Sequence, residues 1–230
     1  LPPAVALSTD LSCTDQAQII AISINSQGLD ALTRQLAERG LSGKTIVLCM
    51  KGIEIATGRR LSQIASENLS KSNRIAVWLG PGHVQSFCAG IPNCMVIDSE
   101  DEETKYHLID AFSGNLIRFY IGNDLIGNEI GAAAKNVIGI AGMLDGMSLG
   151  ALKGALMARG AREVARLIRA MGGSELSAYG LCHLGDYEAT VFSPYSHNRR
   201  FGEALIRGER YDALAEGYYT AAALIRLSDT

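Results

Sequence analysis

Short apolar, β-branched runs alternate with stretches of helical periodicity through the first half of this 230-residue chain. No other feature narrows its folds as much. Gln18 to Ile24 (QIIAISI), Thr45 to Met50 (TIVLCM), Ile75 to Leu79 (IAVWL), Met95 to Ile97 and Ile117 to Ile121 read as buried strands. Between them Ser26 caps a helical pattern that runs to about Arg39 and stops at Gly40. A second helix runs from roughly Gly58 to Leu69, and a third, capped by acidic residues, starts near Ser99. This alternation predicts βαβ units in a mostly parallel sheet, with ligands at the carboxyl ends of the strands.

From Asp124 onward the period is helical. One helix spans Asp124 to Met143, another about Leu149 to Met171, and shorter ones continue to Leu227, with breaks at Gly172-Gly173, Pro194 and Asn198. The expected class is therefore α/β: a partial Rossmann-like parallel sheet (residues 1–121) followed by an all-α C-terminal domain (residues 122–230). The opening helix of that second part is apolar nearly all round, as buried helices are, yet it carries Asn128, Glu129, Lys135 and Asn136. Asn128 and Lys135, like Glu129 and Asn136, lie seven residues apart, so the four are expected to converge on one arc. Gly127, Gly131 and the run Ala132-Ala133-Ala134 leave room for another backbone or a ligand. Two readings stay open on these residues: Lys135 paired with Glu129 in a buried network, or Lys135 desolvated for proton exchange.

Hydrophobic content of 47% with 20% charged residues describes an ordinary globular protein. A net charge of -3 offers no basic footprint for nucleic acid. Apolar runs are broken by Glu, Lys, Asn or Gly before they reach bilayer length, so no membrane insertion is expected and the cytoplasm is the default location. The five cysteines contain no C-x-x-C pair and read as reduced, mostly buried thiols. His83, His107, His183 and His197 are too dispersed for a local metal motif, so no metal is expected.

Several polar positions have a functional and a plain reading. Lys51 follows the second strand, where a ligand or only solvent would meet it. Gly80-Pro81-Gly82-His83 is either an anion-binding helix start or a tight turn. Ser196-His197-Asn198-Arg199-Arg200 is either a donor cluster for a phosphate or carboxylate, or a capped helix start with two surface arginines.

The motifs occur in a definite order: KGIE-x-x-TG from Lys51, GPG from Gly80, GAAAKNVIGIAG from Gly131, DG at Asp145, RGAREVAR from Arg159, LGD from Leu184, SHNRRFG from Ser196 and EGY from Glu216. Together they resemble the NAD(P)-dependent glycerol-3-phosphate dehydrogenases of bacterial type, over nearly the whole chain. The resemblance implies an oxidoreductase of phospholipid-precursor metabolism that interconverts sn-glycerol 3-phosphate and dihydroxyacetone phosphate with NAD or NADP. It implies Lys135 as catalytic acid and base, Asn136 as a substrate-orienting neighbour, Lys51 as a second lysine near substrate and cofactor, and Asp186 and Thr190 beside the catalytic lysine. Gly80 and Gly82 match the substrate loop, Val84 lies towards the cofactor, and Ser196, His197, Asn198 and Arg199 fall on the substrate-phosphate segment. His197 and Glu216 also fall near the dinucleotide. A homodimer is the expected assembly. No G-x-G-x-x-G precedes Gln18, so the strand carrying that fingerprint is expected upstream of Leu1, and further helices after the EG segment.

Two departures stand out. Where the family reads S-R-N, this chain has S-H-N, and His197 grips phosphate only when protonated. Substrate affinity is expected to weaken above neutral pH unless Arg199 takes over. The second is Gly82-His83, where the family has a small hydroxyl residue and an aromatic. A related dehydrogenase of another small hydroxy acid would share the sheet and the helical domain but lack the full set of motifs, and a catalytically silent domain serving in assembly or binding stays open as an alternative.

Overall fold

The computed structural model describes residues 3–82, 84–142, 150–187, 190–191, 193 and 195–228. Five strands form one sheet in sequence order: β1 (Ile19–Ile22), β2 (Thr45–Leu48), β3 (Arg74–Leu79), β4 (Asn93–Ser99) and β5 (Ile117–Ile121). The pairs β1/β2, β2/β3 and β4/β5 are parallel, as the alternation predicts. β3/β4 is antiparallel. The connection explains it. A parallel neighbour needs a crossover long enough to carry the chain back along the sheet, and between β3 and β4 lies only the five-residue helix α3 (Val84–Cys88).

Helices α1 (Leu29–Glu38), α2 (Leu61–Asn68) and α4 (Glu102–Phe112) fill the other connections. Alternation along β2 shows why the sheet is covered on both sides. Ile46 and Leu48 pack with Leu29, Leu36, Leu61 and Ile64 of α1 and α2, whereas Val47 faces the opposite cluster with Met95, Ile97, Leu108 and Phe119. α4 starts at Glu102 rather than at Ser99 because Asp101 is the residue that caps it, accepting from the Thr104 N–H at 2.9 Å.

After β5 the chain is helical: α5 (Leu125–Ala141), α6 (Gly150–Ala170), the four-residue α7 (Leu184–Tyr187), α8 (His197–Arg207) and α9 (Glu216–Ser228). α5 packs against α6, α8 and α9, and every residue from Gly127 to Asn136 is buried. Ala132 joins the core on the α1/α2 face of the sheet, while Ile130, Ala133 and Ala134 join Val164, Ala165, Ile168 and Ala223 in a second core. One helix thus belongs to both layers.

The polar residues of α5 do not converge. Asn128 donates to Asp98 at 2.7 Å. Glu129 accepts from the Ser62 N–H at 2.8 Å, from the Ser62 hydroxyl at 2.6 Å and from Arg60 at 2.5 Å. Pairing of Glu129 with Lys135 is therefore excluded, and helix geometry gives the reason: residues six apart sit about 120° from each other around the axis. Glu129 instead anchors the start of α2. The cysteines also differ from expectation, since only Cys182 is buried, Cys49 and Cys94 are half-buried, and Cys13 and Cys88 are exposed. Cys49 follows β2 directly, Cys94 is the second residue of β4 and Cys88 the last of α3, so these three stand at element ends. Asp145 and Pro194 lie outside the described residues.

Because Arg60 and Glu129 are both buried, removing one partner strands a charge. Arg60→Met should lower unfolding free energy by about 3–5 kcal/mol in chemical denaturation. A loss below about 1 kcal/mol would show that the pair does not hold α5 to α2.

Candidate active site

The site forms where three segments meet at the carboxyl ends of β2 and β3. Three residues beyond β2, Lys51 donates from Nζ to the Gly80 carbonyl at 2.8 Å and to Asp186 Oδ2 at 2.6 Å. Gly80, just after β3, has φ of 128°, and a Cβ there would stand 3.1 Å from the Met95 backbone. Only glycine allows this turn so close to β4. From α5, Lys135 Nζ reaches the same Asp186 oxygen at 2.7 Å and donates to the Thr190 hydroxyl at 2.5 Å.

One carboxylate oxygen therefore takes two ammonium groups. Asp186 and Lys135 are nearly sealed from solvent, with 2% and 5% of their side chains exposed, while Lys51 keeps 21%. Burial lowers the pKa of Lys135 to about 7, the charge of Lys51 pushes the same way, and Asp186 opposes both. Small residues on α5 let α7 and Thr190 come this close. A Cβ at Gly139 would meet the Thr190 methyl at 2.6 Å, and one at Gly131 would meet His183 Cβ at 3.0 Å.

Above the lysines opens a cleft of about 450 Å³. Lys51, Gly82, Val84, Lys135, Asn136, Thr190, Ser196, His197, Asn198 and Glu216 all line it, so ten positions singled out in the sequence meet in one place. Asp186 lies beneath the floor, and Gly80 takes part through its carbonyl. Arg199 does not line the cleft; its Nε pairs with Glu203 at 2.9 Å along α8. His83 lies outside the described residues. A larger cavity, about 650 Å³, sits by the β5 edge among Tyr120, Ile121 and Leu176, but it contains neither lysine.

Some of the cleft residues also brace it. Ser196 caps α8, its hydroxyl accepting from the Arg199 N–H at 3.2 Å, and the Asn198 side-chain Oδ1 accepts from the Gly217 N–H at 2.9 Å. Glu216 accepts from the N–H and the hydroxyl of Ser26 at 2.9 and 2.5 Å, which ties the start of α9 to the loop after β1. The exposed His197 has its Nδ1 2.7 Å from the Tyr211 hydroxyl. Ile24, Met50, Gln85, Tyr195, Leu214 and Tyr211 were not anticipated. The carboxyl-edge rule was enough to find Ile24 and Met50, whereas Tyr211 is brought in by a loop with no motif of its own.

The sequence comparisons identify the family. The N-terminal model of NAD-dependent glycerol-3-phosphate dehydrogenase matches residues 1–105, and the C-terminal model of the same enzyme matches residues 124–230. A Rhizobium johnstonii protein named glycerol-3-phosphate dehydrogenase [NAD(P)+] is 38% identical over 234 aligned positions, covering 99% of this chain and 71% of the relative. The chain belongs to the NAD-dependent glycerol-3-phosphate dehydrogenase family. Among solved structures, the Coxiella burnetii glycerol-3-phosphate dehydrogenase superposes with a TM-score of 0.87 at 28% identity, covering 96% of this chain and 70% of that one. The Plasmodium falciparum glycerol-3-phosphate dehydrogenase shares the fold at 16% identity, with a TM-score of 0.83 and coverage of 96% and 67%. Membership accounts for the sheet followed by helices. Among the described residues no helix is long and apolar enough to cross a membrane, and no cluster of His, Cys, Asp or Glu could hold a metal ion.

Asp186 is the one carboxylate that both lysines share, and it stabilises the protonated form of Lys135. Asp186→Asn should therefore drop the Lys135 titration midpoint below about 7, read from the ¹³Cε shift of labelled lysine. An unchanged midpoint would mean that the carboxylate does not control that charge.

Proposed function

We propose that this chain carries the acid–base half of the interconversion of glycerol 3-phosphate and dihydroxyacetone phosphate, with Lys135 as the group that moves the proton. The observation that carries this reading is the single Asp186 oxygen between Lys135 and Lys51 at the floor of a cleft. A lysine with pKa about 7 exists as amine and ammonium in comparable amounts near neutrality. As the amine it takes the proton of a secondary hydroxyl; as the ammonium it gives one to a ketone oxygen. Thr190 accepts one N–H and so orients the amine. Lys51, held by Gly80 and Asp186, sets a cation beside the reacting oxygen, where negative charge grows as its proton leaves. Asn136 lines the same wall and is suited to hold a neighbouring hydroxyl.

At the far side, the N-terminus of α8 presents Ser196, His197 and Asn198 to the cleft. Helix dipole and free N–H groups favour an anion there, which suits the substrate phosphate. His197 adds charge only when protonated. Replacement by arginine should hold affinity at alkaline pH, and a substrate affinity that is flat with pH and unaltered by His197→Gln would remove His197 from phosphate binding.

The residues fit the nicotinamide end of NAD or NADP. Ile24, Met50 and the largely exposed Val84 form an apolar ledge at the carboxyl edge of the sheet, next to Lys51 and close to Glu216. When bound, that ring exchanges a hydride with the substrate carbon. Glu216 supports the ledge by holding Ser26, and His197 borders both parts of the cleft. The same reading divides the chain after Ile121, the last residue of the sheet, into a cofactor side and a substrate side.

A turnover assay with dihydroxyacetone phosphate and NADH or NADPH tests the reading. Lys135→Met, still folded, should lose about 10²–10⁴-fold in kcat. Reduction should slow as pH rises through about 7, because the ammonium is the proton donor, and oxidation should quicken over the same range. Retention of activity by the variant, or the same pH dependence in both directions, would overturn it.

A further inference from the structure

His183 is fully buried one residue before α7 and has no part in the chemistry above. Its Nδ1 lies 2.8 Å from the Gly131 carbonyl oxygen, and its Nε2 meets no partner among the described residues. The Nδ1 contact fixes the proton. A carbonyl oxygen only accepts, so Nδ1 must carry the hydrogen. The other tautomer would oppose two lone pairs and leave a buried N–H without an acceptor. Burial holds the ring neutral, lowering its pKa to about 4. The groups around the ring are Tyr187, in a T-shaped contact with centroids 4.7 Å apart, and the charges of Lys135 and Asp186.

The position of that bond matters more than its strength. Gly131 is one turn before Lys135, and its carbonyl is the helical acceptor for the Lys135 N–H. On the other side, the His183 carbonyl accepts from the Asp186 N–H at 3.0 Å. Asp186 then returns to Lys135 through its carboxylate at 2.7 Å. A closed ring results: the Gly131 carbonyl, His183, Asp186, the Lys135 side chain and the turn of α5 back to Gly131. Glycine at 131 is what lets His183 approach, since a Cβ there would stand 3.0 Å from His183 Cβ.

We propose that His183 is a positioning residue of this site: its Nδ1–H bond to Gly131 fastens the turn that carries Asp186 to the turn of α5 that carries Lys135, and so sets the carboxylate between the two lysines. Its importance for catalysis rests on Lys135 being the acid–base group, but the fastening itself is tested without substrate, cofactor or turnover. Failure of the turnover assay would leave it standing.

The test uses nuclear magnetic resonance on the full chain. In ¹⁵N spectra of the histidine rings, His183 should be neutral with hydrogen on Nδ1 from about pH 8 down to about 5. An Nε2–H ring, or titration in that window, would overturn the proposal. Two variants then separate positioning from mere filling of space. His183→Asn keeps a donor at the Nδ1 position and should leave the Lys135 midpoint where it is. His183→Leu keeps volume but not the donor, frees Asp186, and should lower the midpoint by about one pH unit, the size expected when a charge partner is lost. The same midpoint in both folded variants, or a rise in the leucine variant, would show that His183 only packs. Should the leucine variant not fold, the ring tautomer and the asparagine variant still decide the matter.

Discussion

Two ammonium groups cannot share a buried floor without a counter-charge, and everything in this site follows from how Asp186 provides one. With Nζ atoms 2.6 and 2.7 Å from one oxygen, the two lysines lie at most about 5 Å apart. At an effective dielectric of about 20 they would repel by roughly 3 kcal/mol, near two pKa units. Burial is the largest pressure that brings Lys135 to about 7; the charge of Lys51 adds to it, and the carboxylate opposes both. Lys51 keeps 21% of its side chain exposed against 5% for Lys135, so one of two identical side chains is sealed and the other stands at the rim.

The fold exists to make that contact from distant segments. Lys51 comes from the edge of the sheet, Lys135 from the central helix and Asp186 from a four-residue helix whose leading turn, at His183, comes close to α5 because a glycine stands at 131. Glu129, one turn and a half away on α5, does for the scaffold what Asp186 does for the site, fixing α5 to the start of α2 through Arg60 and Ser62. The two networks share no residue, and neither Arg60 nor Glu129 figures among the causes of the Lys135 shift.

Much of this was legible in the sequence. Period-2 and period-3.6 patterns locate all five strands, four of them with ends shifted by one to a few residues, and the helices from 124 onward, because burial on both faces leaves little freedom in composition. Family motifs gather ten cleft residues that no local pattern could bring together. Three things were not legible. The antiparallel β4 depends on the shortness of α3, which no signal in Val84–Cys88 announces. The partner of Glu129 comes from a loop some seventy positions earlier, and the seven-residue spacing of the polar residues gives direction without naming partners. Arg199 reads as a phosphate ligand by motif, and its i,i+4 pairing with Glu203 along α8 is a contact that the motif does not announce.

The central claim is that Lys135 of the unmodified chain is poised between amine and ammonium by its surroundings, before any ligand arrives. Titration of its ¹³Cε resonance in the labelled protein, assigned by its disappearance in Lys135→Met, measures this directly. The account predicts a midpoint of about 7. A midpoint near the ordinary lysine value of about 10.4 would contradict it.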